Sequence, residues 1–214
     1  MKDIPLQGNT SRFDYQSFDA SSHRPYIAHL GDGAATVYDT NSGAVVGEIK
    51  GVAGVHGVLA VPELGRIYAT ATDKNQVTVI DASSLAVIGT TDAGDYPDGL
   101  AYDAEVGKIY VSDEHGGTDT VVDAQSMQVV FTGDAGKTPD VLAVDAALHR
   151  LYVAAESGPL TVFDYTDGNV RELVKADAGP NAHSVAVDPS THHIYLPLQN
   201  VTGHPVLREM VVDS

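Results

Sequence analysis

Apolar positions in this chain come in short runs, broken by clusters of Gly, Asp, Asn, Ser and Pro. The runs are rich in Val, Ile, Tyr and Thr, residues that suit a pleated, half-buried strand. Nowhere do apolar residues recur at i, i+3, i+4 over a useful length, so no helix is predicted. The runs also repeat. "RPYIAHLG", "RIYATATD", "KIYVSDEH", "RLYVAAES" and "HIYLPLQN" align on Tyr26, Tyr68, Tyr110, Tyr152 and Tyr195, in steps of 42, 42, 42 and 43 residues. An inner run precedes each later tyrosine: "HGVLAVPE", "DGLAYDAE", "DVLAVDAA", "HSVAVDPS". A run ending in Asp follows ("ATVYD", "VTVID", "DTVVD", "LTVFD"), and then a fourth ("AVVGEI", "AVIGTT", "QVVFTG", "VRELVK").

Each unit therefore predicts four antiparallel strands. A four-stranded unit every 40–50 residues or so marks a β-propeller blade. One blade cannot bury both faces of its sheet, so blades pack around an axis. The inner run occurs five times, counting "RFDYQSFDASSHRPY" near the start. The fifth unit predicts strands at about 182–188, 193–198 and 204–212 and then runs out of chain. "KDIPLQ" is the expected fourth strand, closing the ring and removing its open edge. The expectation is an all-β, five-bladed propeller forming one domain over residues 1–214.

The repeat gives chemistry a place. Stepping from Asp98 by its period yields Asp14, His56, Asp98, Asp140 and His183, one carboxylate or imidazole at the start of every inner strand. Inner strands line a propeller's channel, so these five are expected to form one ring. Carboxylates about 4 Å apart repel by roughly 4 kcal/mol at an effective dielectric near 20. Raised pKa values, water or a bound cation relieve that repulsion. One divalent ion in the channel is the expected cofactor. Mixed His/Asp ligation suits zinc, manganese, iron or nickel, and calcium is possible if water completes an oxygen shell. The structural alternative is that each Asp binds turn amides. Imidazole is a poor substitute in that role and a good one as a ligand.

Three residues past the tyrosines stand His29 and Asp113, and His115 is nearby. These are candidates for proton transfer beside the channel mouth, against the alternative of exposed loop residues. The row Arg24, Arg66, Lys108 and Arg150 reads as a solvated or ion-paired face, and the repeat tyrosines as packing between blades. "GDAGKT" at 133–138 lacks a P-loop's first glycine and opens no helix, and "GDG" at 31–33 reads as a turn.

Composition narrows the partners. The 29 acidic residues against 12 basic ones leave a net charge of −17, which disfavours nucleic-acid phosphates and anionic membrane surfaces. The absence of cysteine removes disulfides, thiolate metal sites and thiol nucleophiles. No run is long enough to span a membrane, and "MKDIPLQGNT" has no signal-peptide core. A small-molecule ligand and a monomer are the expectation.

The run "IYVSDE" followed by "GTDTVVDAQSMQVV" resembles the YVTN-type β-propeller repeat family of surface-layer-like proteins, over essentially the whole chain. Relatives of that type often have seven blades. This chain has five, as if two were absent between about 132 and 139. The resemblance implies a periplasmic or secreted protein that binds partners. By analogy with propellers that hold an axial metal and open lactones, the expected activity is metal-dependent hydrolysis of esters or lactones, such as acyl-homoserine or sugar lactones. Glycoside hydrolysis by paired carboxylates is a second enzymatic option. The alternative is a non-catalytic binding module with a structural ion.

Overall fold

The fold is given by a computed structural model that describes residues 4–211 apart from 167, 183 and 189, and the backbone alone at 199 and 205. It is all-β. The first sheet comprises β1 (Gln16–Asp19), β2 (Arg24–His29), β3 (Ala34–Asp39) and β4 (Ala44–Lys50). The second comprises β5 (Val55–Val61), β6 (Arg66–Ala71), β7 (Gln76–Asp81) and β8 (Val87–Asp92). The third holds β9 (Pro97–Asp103), β10 (Lys108–Asp113), β11 (Thr118–Asp123) and β12 (Val129–Asp134). The fourth holds β13 (Pro139–Asp145), β14 (Arg150–Ala155), β15 (Pro159–Asp164) and β16 (Arg171–Asp177). The fifth has three strands, β17 (Ala186–Val187), β18 (Ile194–Val201) and β19 (His204–Met210).

Each of these sheets is a meander in chain order. The chain forms two compact units, Met1–Leu100 and Ala101–Ser214, with the boundary inside β9. No helix among the described residues is long and apolar enough to cross a membrane.

The fifth sheet departs from the expectation. Its inner strand is confined to Ala186–Val187, well short of 182–188. Residues 4–7, the described part of the segment expected to complete it, form no strand. Pro5 carries no backbone N–H to offer a ladder. A few residues on, the chain is held on the first sheet instead, because Asn9 N–H donates to Asp32 Oδ2 at 2.8 Å.

Burial concentrates in the middle strands. β6, β7, β10, β11, β14 and β15 are buried along most of their length, whereas β8, β12 and β16 are largely exposed. The repeat tyrosines explain the difference. Tyr26, Tyr68, Tyr110 and Tyr152 are fully buried. In the first unit, Tyr26 packs with Ala28 and Val37 of its own sheet and with Val55, Ile67 and Ala69 of the second. In the second unit, Tyr110 meets Leu151 and Val153 of the fourth sheet, and Tyr152 meets Ile194 and Leu196 of the fifth. Tyr26, Tyr110 and Tyr152 are packing residues between successive sheets, as expected. Tyr195 differs: it is half-buried, and its hydroxyl donates to Glu209 Oε1 at 3.3 Å.

Strand ends are closed by aspartates. Asp39, Asp81, Asp123 and Asp164 each take the backbone N–H two residues on, as Asp19, Asp103 and Asp188 do at the ends of inner strands or just beyond. Serine hydroxyls add to several of these turns, with Ser83 and Ser84 donating to Asp81 Oδ1 at 2.6 and 2.8 Å. The basic row engages the same aspartates, with Lys108 Nζ 2.7 Å from Asp123 Oδ2.

Two predictions follow from these contacts. Tyr152→Ala should cost about 3–5 kcal/mol in denaturant unfolding, the range for removing a buried aromatic ring. The hydroxyl of Ser83, followed by the N–H and hydroxyl of Ser84, holds the Asp81 pKa down to about 2. A depressed carboxylate stabilises the fold above its unfolded value, roughly pH 4, and that support is lost as pH falls toward 2. Asp81→Ala should therefore lower Tm at pH 7 and converge on the parent as pH drops from about 4 to 2.

Candidate functional site

The first unit aligns three of the expected ring residues. Asp14 N–H donates to Ala28 O at 3.0 Å, and Tyr15 N–H donates to His56 O at 3.3 Å, joining the starts of the first two inner strands. Thr70 Oγ1 accepts from Gly57 N–H at 2.8 Å and donates to Asp98 O at 3.0 Å, tying in the third. Asp14, His56 and Asp98 therefore occupy matching backbone positions, as the repeat requires. Asp140 belongs to the second unit, where its carbonyl accepts from Ser112 Oγ at 2.6 Å. His183 lies outside the described residues.

Asp14 and His56 are engaged by neighbours other than one another. Arg12 donates to Asp14 Oδ2 at 2.6 Å. His56 Nδ1 lies 2.7 Å from Gly54 O and 2.9 Å from Thr72 Oγ1. The Thr72 hydroxyl proton goes to Pro97 O at 2.6 Å, so Nδ1 carries the hydrogen and Nε2 is left to accept from Tyr96 Oη at 3.3 Å. Asp98 is buried. Among the described residues, no three His, Asp or Glu side chains are grouped to hold an ion.

The candidates for proton transfer are treated differently by the fold. Asp113 ends β10, is fully buried, and accepts from Thr118 Oγ1 at 2.9 Å and Thr120 Oγ1 at 2.7 Å. His115 is exposed in the turn after β10. His29 ends β2 and is 1% exposed. Phe13 stacks on its ring, with centroids 4.0 Å apart and planes 15° apart.

His29 stands in a constellation that the repeat does not contain. Its Nε2 is 2.9 Å from Ser11 Oγ. Asp32, in the single 3₁₀ turn Leu30–Asp32 after β2, places Oδ2 3.7 Å from His29 Nδ1 and Oδ1 2.9 Å from Ser11 Oγ. His29 Nδ1 is buried and has no hydrogen-bond partner among the described residues, Asp32 Oδ2 lying at 3.7 Å, beyond hydrogen-bond reach. Asp32 remains ionised: the Asn9 backbone N–H first, then the Ser11 hydroxyl, hold its pKa below the usual carboxylate range.

Sequence reading found His29 from its place after Tyr26 but missed Ser11 and Asp32. Ser11 lies outside the repeat, and Asp32 sits in "GDG", which reads only as a turn. The one available signal was the concentration of small and polar residues in "GNTS" opposite that turn.

The local chain allows close approach. A Cβ on Gly8, whose φ is +102°, would lie 2.2 Å from Asp32 Oδ2, and one on Gly31 would lie 2.3 Å from Ser11 Cβ. Beside Asp32 is an open polar pocket of about 450 Å³, lined also by Asn9, Glu48 and Lys50. Glu48 and Lys50 are paired at 3.2 Å. Ser11 Oγ thus touches an imidazole and a carboxylate at once, both 2.9 Å away, and either is a base that can take a hydroxyl proton from an oxygen nucleophile.

No protein-family model matches the chain, and no curated protein matches its sequence. Solved structures do. Kuenenia stuttgartiensis hydrazine synthase is similar over 91% of this chain and 59% of its own, at 18% identity and a TM-score of 0.75. A chain of the mitotic checkpoint complex is similar over 98% of this chain and 64% of its own, at 16% identity and a TM-score of 0.82. A putative 6-phosphogluconolactonase from Bacteroides uniformis is similar over 91% of this chain and 70% of its own, at 13% identity and a TM-score of 0.73. These likenesses show a propeller-like all-β fold. The chain spans less than two thirds of the length of the first two.

Gly8→Ala tests the local geometry. Both the contact and the positive φ penalise a side chain there, by more than about 1 kcal/mol. Limited proteolysis should cut residues 8–13 faster than in the parent, while the far-UV spectrum of the sheets stays unchanged.

Proposed function

We propose that the protein hydrolyses a small ester or lactone, with Ser11 as nucleophile. The observation that carries this reading is Ser11 Oγ at 2.9 Å from both His29 Nε2 and an ionised Asp32, whose other side lines an open pocket. The putative 6-phosphogluconolactonase among the structural neighbours agrees with the substrate class.

The Ser11 hydroxyl, which donates to Asp32 Oδ1 in the resting structure, turns to His29 Nε2, adds through Oγ to the substrate carbonyl and passes its proton to that nitrogen. Asp32 stabilises the imidazolium that forms by its charge, with Oδ2 3.7 Å from Nδ1. The tetrahedral intermediate collapses to a Ser11 ester, and His29 returns the proton to the departing alkoxide, which stays tethered when the substrate is a lactone. Water, deprotonated by His29, then releases the acid and restores Ser11. The polar pocket lining suits a hydroxylated substrate. The same reading takes the five sheets as five blades of one propeller, supported by the repeat count.

A second reading is a non-catalytic binding module, in which Ser11, His29 and Asp32 only clamp the N-terminal segment. The stacking of Phe13 over His29 favours it.

Turnover of p-nitrophenyl acetate and of a sugar δ-lactone separates the readings. Under the hydrolase reading, Ser11→Ala and His29→Gln each lose at least about a thousandfold in kcat/KM, and chelator changes nothing. Turnover that survives Ser11→Ala overturns the serine mechanism. If that surviving turnover is lost with chelator and in Asp98→Ala, it supports an ion held by Asp14, His56, Asp98, Asp140 and His183 instead. No turnover in the parent, with Ser11→Ala lowering only Tm, supports the clamp.

A further inference from the structure

Asp119 is a fully buried acid with no role in this chemistry. It lies on β11, opposite Ser112 of β10 and Gly133 of β12. The same register position is Ala35 in the first sheet, Val77 in the second and Leu160 in the fourth, all buried. The third sheet has put a carboxyl where the repeat demands an apolar side chain.

Its surroundings are known from the strand. Side chains two apart on a strand share a face, so Asp119 points the same way as Val121, and Ser112 the same way as Tyr110. Tyr110 and Val121 pack with Leu151, Val153 and Phe163 of the fourth sheet. From the same face Ser112 Oγ reaches Asp140 O at the start of β13. Asp119 therefore stands between the third and fourth sheets, at 0% exposure, and neither carboxyl oxygen has a hydrogen-bond partner among the described residues.

The titratable groups nearby do not offer a countercharge. Asp113 is close along β10 and of like sign. Tyr110 lies on the shared face, and its ring is 5.6 Å from that of Tyr165, whose hydroxyl donates to Asp103. His149 packs edge-on to Tyr165 at 5.7 Å. Asp140 stands at the start of β13. The Lys175–Asp134 ion pair, between β16 and β12, has an exposed carboxylate.

We propose that Asp119 makes the packing of the third sheet on the fourth proton-dependent: neutral, it stays buried between them, and ionised, it loosens their contact. Burial first, and then the charge of Asp113, push its pKa well above the ordinary carboxylate range, in agreement with this geometry. A carboxyl whose pKa is raised on folding favours the fold fully below its unfolded value, near pH 4, and that support is lost as pH rises through the folded value. The predicted loss is therefore on the alkaline side, opposite to that of the turn aspartates.

The test compares the full chain with Asp119→Val and Asp119→Asn at pH 5 and pH 9, by thermal unfolding and by amide hydrogen exchange. The parent should lose Tm between the two pH values, and β11 and β14 should exchange faster at pH 9 after correction for intrinsic rates. Both variants should lose most of that slope, and Asp119→Val should gain at least about 3 °C at pH 9. Variants that keep the parent's slope overturn the proposal. So does destabilisation of both variants at both pH values, which would mean that the carboxyl is a needed partner. Because turnover is not the readout, failure of the hydrolase reading leaves this test intact.

Discussion

A chain with 29 acidic residues and 12 basic ones must hold its carboxylates with something other than cations. The structure does this locally, with backbone N–H groups and small hydroxyls. Turn after turn ends in an aspartate that takes the amide two residues on, often helped by a serine. The device repeats because the strands repeat, and it lets tight turns close sheets whose stability lies elsewhere. That stability comes from the middle strands, where the repeat tyrosines bury their rings between successive sheets. The outer strands, exposed and bulged against their neighbours, carry little of it.

Two acids depart from the pattern, in different ways. Asp32 has its amide and hydroxyl donors, but one donor is Ser11, whose oxygen also meets an imidazole. A group first understood as a turn carboxylate thereby becomes the third member of a reactive constellation. Asp119 has no donor and lies where the other four-stranded sheets bury apolar groups. The first departure places charge beside a half-buried hydroxyl; the second places a proton where charge is not tolerated.

The fold was legible because the 42-residue step repeats every local signal together: alternation, tyrosine, terminal aspartate and turn glycine. Strand ends fell close to their expected places wherever an aspartate closed the turn. The fifth sheet was misjudged because "HSVAVDPS" has the right pattern, yet ladder pairing with β18 survives only at Ala186 and Val187. Of the site itself only His29 was legible, from its place after Tyr26; stepping by the repeat also picked out Asp14, His56 and Asp98, at or just before strand starts. What stepping cannot give is side-chain commitment. His56 spends Nδ1 on Gly54 O and Thr72, and Asp14 is taken by Arg12. Ser11 was invisible because it has no counterpart in other units. Asp119 was read as part of the apolar run "DTVVD", since alternation names a face but not its partner.

The central claim is that Ser11 is a nucleophile and not only a clamp. The most direct measurement is intact mass and peptide mapping after exposure of the folded protein to an alkyl fluorophosphonate, which phosphonylates activated serines. The account predicts a single adduct, on Ser11, absent from His29→Gln. A protein that stays unmodified, or one that carries the adduct on another serine while Ser11 is untouched, contradicts it.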